Sequence, residues 1–261
     1  MMLWKNKYCH LRENFENAPA QFEQVIQEVY TFVLKAGGVV LDCGAHKGKH
    51  SLPMAECVGK KGLVICFEPI AEKLKLLEDA AFERDLHQIR TLNMGVGNQL
   101  AIETFTYVPD DPGKSSFNLR DDLVSDERKM RNAQQFEIPI TTIDLALIGS
   151  HECGFIKLDV EGAEYTALQG AEKSLARYRP VVHFELADEA LSKFGAKPID
   201  IFELAKKHKY DVFDVLGNHL DTPEQFNESA FATGVYDYFL VPNGSFDLNM
   251  IADCSSNIFK N

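Results

Sequence analysis

The apolar positions of this chain change period several times, and each change marks an element. Phe22, Val25, Ile26, Val29, Tyr30 and Val33 recur at helical spacing, and Gly37 with Gly38 supplies a C-terminal stop. Val39, Val40 and Leu41 then run unbroken into Asp42, the pattern of a strand buried on both faces. A helix is expected over 47–58, a turn at 59–62, a second strand over 63–67, a helix over 71–85 and a third strand over 89–96. Residues 101–108 alternate through Ile102, Thr104, Thr106 and Val108, which predicts an antiparallel addition or hairpin. Residues 109–135 are the least regular, and read either as a solvated loop with a frayed helix or as a substrate-facing lid. Order resumes at 138–140. A strand over 155–160, a helix over 162–178, a strand over 181–186 and a helix over 199–208 follow, with late strands at 211–216 and 238–241.

Strands alternating with helices predict an α/β, doubly wound and mostly parallel sheet. No repeat, linker or low-complexity stretch divides the chain. The expected organisation is one domain over 37–242, an N-terminal helical extension over 1–36 packed on it, and a loosely held polar tail over 243–261.

Composition narrows the function classes. A formal net charge of −12 argues against general nucleic-acid binding, which needs clustered Lys and Arg. No apolar stretch suggests a signal peptide or a membrane span, and an isolated Trp4 reads as a packing anchor. The six cysteines, Cys9, Cys43, Cys57, Cys66, Cys153 and Cys254, show no C-x-x-C pair and read as reduced, mostly buried thiols of a cytoplasmic protein.

The candidate chemistry sits where apolar runs end. Asp42, Cys43 and Gly44 turn through Ala45, His46 and Lys47 to Gly48, while the next apolar run ends in Phe67, Glu68 and Pro69. Such a loop beside a strand-end carboxylate is how an α/β sheet builds an adenosine site, the carboxylate taking the ribose hydroxyls. His46 occupies the place of the crowded second glycine of a dinucleotide fingerprint, which favours a nucleoside cofactor without phosphate, S-adenosylmethionine (SAM), over a nicotinamide. The absence of any Tyr-x-x-x-Lys pair also disfavours an oxidoreductase. A second block runs from Lys157 through Asp159, Val160, Glu161 and Gly162 to Glu164, followed by Gly170, Arg179, Pro180 and Glu185. Asp42, Glu68, Asp159 and Glu185 would converge on the ligand rim, where mutual repulsion needs compensating cations, donors or protons. Each carboxylate could instead cap the following helix, Asp159 and Glu161 above all.

These blocks together resemble the FkbM-type SAM-dependent methyltransferases over roughly residues 37–242. The resemblance implies a Rossmann-like, seven-stranded sheet and transfer of the cofactor's methyl group, usually to a hydroxyl oxygen. It implies a cofactor loop of Asp42, Gly44, Ala45, His46 and Gly48, a ribose ligand in Glu68, and Asn93 and Met94 beside the adenine, with Asp159 also near the cofactor. A hydroxyl of a sugar, glycan or natural product is the expected small-molecule acceptor, and oligomerisation is left open. A poor oxygen nucleophile needs a base or a metal, and Asp159 is the first choice, with Glu161, His183 and Glu185 in reserve. No metal site is assigned. His46 and His50 have a ligating spacing but no third ligand, so they read as pocket-lining or surface residues. Lys47 and Lys49 would meet the cofactor carboxylate or simply be solvated, and Ser115 with Ser116 would line the acceptor pocket or form a turn. The alternative function is a non-catalytic SAM- or nucleoside-binding module.

Overall fold

The computed structural model describes residues 18–259 except 113–114, 120, 187, 233–234 and 248. Cys9 and Trp4 lie outside the described residues. The central sheet is built on β1 (Val39–Cys43), whose five residues are all buried. Its parallel neighbours are β2 (Leu63–Phe67), followed outward by β3 (Ile89–Leu92), and on the other side β7 (Phe155–Leu158), followed by β8 (Val181–Glu185). Beyond β8 lies β11 (Asp237–Pro242), antiparallel to both β8 and β9 (Tyr210–Asp214). A two-residue strand, β10 (His219–Leu220), extends the edge beyond the expected seven strands. The fold is thus α/β with a mostly parallel, doubly wound sheet, as expected. The order reverses between β1 and β7, which puts a ligand crevice at their carboxyl ends.

A smaller sheet stands beside that crevice. The expected third strand divides after Leu92: the chain turns at Asn93 and Met94 into β4 (Gly95–Val96), which pairs parallel with β6 (Gln134–Thr141). The alternating segment becomes β5 (Ala101–Tyr107), antiparallel to β6 through Tyr107↔Gln134. Phe105, Ile138 and Ile70 form its small core, with Phe117 edge-on against Phe105 at 5.0 Å between ring centroids. Within 109–135 the structure holds two four-residue helices, Asp121–Val124 and Glu127–Met130, and a bridge from Thr106 to Ser116.

Two further expectations are corrected. The single helix over 162–178 is two, Glu164–Gln169 and Glu172–Tyr178. Gly170 packs against the backbone of Gly97, where a Cβ would lie 2.0 Å from the carbonyl oxygen, and Asp144 caps the second helix through the N–H groups of Lys173 and Ser174. The supposed tail carries a helix, Met250–Phe259, with Met250, Ile251 and Cys254 buried. It packs on the Ala18–Val33 helix, whose buried face matches the sequence periodicity, with Phe22 edge-on to Phe259 at 6.1 Å. Helices at Asp188–Lys193 and Pro223–Ala232 were not expected.

Arg179 sits in the left-handed region and donates to the carbonyls of His208 and Lys209, at 3.2 and 2.9 Å. Its guanidinium covers the Tyr210 ring. This residue ties the start of β8 to the end of the Pro198–Lys207 helix, at the opposite end of the sheet from the crevice. The five described cysteines are free thiols, four of them buried. No helix among the described residues is long and apolar enough to cross a membrane.

Candidate active site

A cavity of about 300 Å³ opens at the carboxyl ends of β1, β2 and β7, between the main sheet and the smaller one. That volume is at the lower end for small-molecule sites. One part of its wall is apolar: Phe67, Ile70, Met94, Val96, Phe105 and Phe117. The other is charged, with Asp42, Lys157, Asp159, Glu161, Glu23, Lys49 and His50. Glu68 and His46 also line it.

Glu68 leaves β2 at the rim and is only 5% exposed. Its Oε2 accepts the N–H of His46 and its Oε1 the N–H of Ile70, both at 2.9 Å. The carboxylate therefore braces the β1 loop and the turn after β2 together. Burial pushes its pKa up, opposed by those two amides. Asn93 supports the same turn from outside, its amide donating to the carbonyls of Glu68 and Pro69.

At the charged end, Asp42 is 1% exposed. Its Oδ2 accepts from Ser51 Oγ at 2.5 Å, while its Oδ1 has no hydrogen-bond partner and lies 4.0 Å from Lys157 Nζ. Lys157 donates to Asp159 Oδ2 at 2.9 Å. Burial alone would lower the lysine's pKa, but the charges of Asp159 and Asp42 outweigh it and keep the ammonium protonated. Burial likewise acts to raise Asp159, yet Lys157 and a hydrogen bond from Glu185 hold that carboxyl well below the usual range. Glu185 shifts the other way: burial and the adjacent Asp159 charge push it up, so the two carboxyls share a proton that resides on Glu185.

The predicted residues thus separate into three groups. Asp42, Gly44, Ala45, His46, Glu68, Met94, Asp159 and Glu161 line the cavity. Glu185 lies behind Asp159, and His183 is buried in the sheet with its Nε2 2.9 Å from Asp237 Oδ1. Gly48 and Asn93 are absent from the lining. Gly48 packs beneath the loop, where a Cβ would meet Leu77 at 2.4 Å, and Asn93 has the bracing role described above. Glu164 also turns inward: its Oε1 accepts the N–H groups of Val160 and Gly162, shaping the loop that presents Asp159 and Glu161.

Of the two serines, Ser115 lines the cavity and accepts the Val108 N–H, whereas Ser116 donates to the Glu161 carbonyl. Sequence reasoning missed Lys157 as the site's buried cation, the aromatic wall of Phe105 and Phe117, and Glu23. For Lys157 the signal was visible, a lysine inside an apolar strand two residues before an acid. Among the described residues no group of three or more His, Cys, Asp or Glu side chains is arranged to hold a metal ion.

The profile of the methyltransferase FkbM domain matches residues 42–212, from the first loop of this site to β9. Among solved structures, the chain is similar to a methyltransferase FkbM from Methylobacillus flagellatus KT, at 17% identity and a TM-score of 0.48. The alignment covers 78% of this chain and 44% of that one, so the chain spans less than half of that protein's length. It is also similar to a putative rRNA-methylase from Clostridium thermocellum, at 12% identity and a TM-score of 0.45 over 84% of this chain and 94% of that one. A third is a putative methyltransferase from Streptococcus mutans in complex with SAH, at 9% identity and a TM-score of 0.43 over 82% and 93%. No curated protein matches the sequence.

Proposed function

The chain belongs to the FkbM methyltransferase family, with S-adenosylmethionine as its cofactor, and we propose that it methylates a hydroxyl oxygen of a sugar, glycan or natural product. The observation that carries this reading is the division of one cavity into an apolar end beside Glu68 and a charged end at Asp42, Lys157 and Asp159. The residues present fit the cofactor. Glu68, locked by two backbone amides, has lone pairs left for a ribose diol, and Met94, Ile70 and Phe105 give an adenine ring apolar contact. Asp42 Oδ1, buried without a donor, and Lys157 suit the opposite charges of an amino-acid end.

When bound, the cofactor would supply a methyl group activated on a sulfonium, open to in-line attack by an aligned oxygen with the neutral thioether, S-adenosylhomocysteine, as leaving group. The chain's task is then to orient the acceptor hydroxyl and take its proton. Asp159, half-exposed to the cavity, accepts the hydroxyl's hydrogen bond and orients it. It is a weak base, because Lys157 and the Glu185 proton stabilise its charge. His46 is the better proton acceptor. Its partial burial, with Lys73 and Lys47 nearby, lowers its pKa and keeps the imidazole neutral at pH 7. The aromatic wall and Ser115 border the space left for the acceptor and limit water around the reacting atoms.

The test is incubation of the protein with methyl-labelled SAM and separate pools of sugars, glycans and hydroxylated natural products, read by mass spectrometry. A labelled methyl ether in one pool supports the reading. Binding of S-adenosylhomocysteine (SAH) without any labelled product in any pool would favour the non-catalytic module instead.

A further inference from the structure

Resting on that cofactor reading, we infer that His50, set in place by Glu23 of the N-terminal helix, joins Asp42 in receiving the α-ammonium group of the cofactor. Glu23 lies outside the residues that match the family domain, on the Ala18–Val33 helix. It nevertheless lines the charged end of the cavity together with Asp42, Lys49 and His50.

Two of these residues each carry a buried side-chain atom with no hydrogen-bond partner. Asp42 is 1% exposed and its Oδ1 has no hydrogen bond. His50 is 7% exposed, and its Nδ1 also has none. The other imidazole nitrogen, Nε2, contacts Glu23 Oε2. A carboxylate accepts only, so Nε2 donates to Glu23, and in that tautomer Nδ1 is an acceptor left without a partner. Glu23 is fixed for this task by Lys49, whose Nζ is 2.9 Å from Glu23 Oε1. Burial opposes its charge, but His50 and Lys49 outweigh that and hold the carboxyl down at about 2, so it is ionised. Tyr30 packs edge-on to the His50 ring at 5.9 Å, but its hydroxyl is itself without a partner and does not satisfy Nδ1.

A buried acceptor left without a donor is costly, and two at one end of a ligand cavity call for a group that donates more than once. A primary ammonium has three N–H donors and a charge that suits Asp42, so it satisfies both. The adenosine end meets Glu68 instead and has no use for either residue. His50 is therefore a ligand-contacting residue, and Glu23 a positioning residue that acts through it.

The experiment is titration calorimetry of the full chain with three probes: SAH, its analogue lacking the amino group, and 5′-methylthioadenosine, which lacks the whole amino-acid end. His50→Phe should weaken SAH about tenfold or more and leave methylthioadenosine within about twofold. The deaminated analogue should lose no more than methylthioadenosine does. Glu23→Gln should shift SAH in the same direction by a smaller factor, and it serves where the His50 variant fails to fold. Equal weakening of all three probes would mean that both residues only support the fold, and unchanged SAH affinity in both variants would mean that Nδ1 meets no ligand. Either overturns the inference. If the wild-type protein binds neither SAH nor methylthioadenosine, the cofactor reading itself fails, a result distinct from those two.

Discussion

Gly44 and Asp159 touch through their backbones: a Cβ built on Gly44 would lie 1.8 Å from the Asp159 carbonyl oxygen. Gly44 also has φ +85°, in the left-handed region. The absent side chain thus makes room for the protein's own loop after β7. Gly44→Ala should therefore destabilise the protein itself, by about 2–5 kcal/mol from strain and overlap combined. Urea unfolding without ligand checks this. A variant as stable as wild type that merely binds SAH less well would instead mean that the glycine clears space for the ligand.

Glu68→Gln keeps the volume of the side chain and removes its charge. One brace to His46 or Ile70 must be lost, because an amide has a single acceptor oxygen. Affinity for SAH and for 5′-methylthioadenosine should fall together, by about 10–100-fold. This pattern differs from that expected of His50→Phe, where only the probe with an ammonium responds. Calorimetry with both probes checks it, and a loss confined to SAH would move Glu68 away from the ribose.

The parts of this site that were legible in the sequence are those made by short range. Buried parallel strands write themselves as apolar runs, so Asp42, Glu68 and Asp159 stood out as charges at the ends of such runs. The rest depends on contacts between distant segments. The break at Gly170 follows from its approach to Gly97, and the aromatic wall exists because β5 folds onto β6. Glu23 is one polar position on an amphipathic helix, and nothing local marks it as facing His50. The Met250–Phe259 helix was hidden by the Ser and Asn content of the 243–261 segment as a whole, although Met250, Ile251 and Cys254 fall on one helical face.

Glu164 gives the protein a pH dependence of defined sign. It is 1% exposed, and burial raises its pKa from 4.5 to about 7 despite the amides of Val160 and Gly162. The folded protein holds a proton there that the unfolded chain has released. The associated stability is complete below pH 4.5 and is lost as the pH rises to about 7. Glu164→Gln removes that titration, and should reduce the loss between about pH 5 and pH 8 by up to about 3 kcal/mol. Urea unfolding at the two pH values checks it. Identical pH dependence in both proteins would show that the carboxyl is ionised in the fold.

Asp159 and His46 divide the chemistry, and paired variants separate orientation from proton transfer. His46→Gln keeps a polar side chain but removes the base, so turnover should fall by about 10²–10⁴ with SAH affinity little changed. The backbone N–H that His46 gives to Glu68 survives the substitution, which is why binding should hold. Wild-type turnover should drop at acid pH with an apparent pKa below 6.5, the ordinary histidine value, and this limb should vanish in the variant. Asp159→Asn should act differently. It retains an acceptor for the hydroxyl but weakens the hold on Lys157, and should raise the acceptor's KM more than it lowers kcat. If instead Asp159→Asn abolishes turnover and His46→Gln leaves both rate and pH profile intact, the proton goes to Asp159. Its ion pair with Lys157 would then have to open in the working complex, because a carboxylate held that far below its usual range takes a proton poorly.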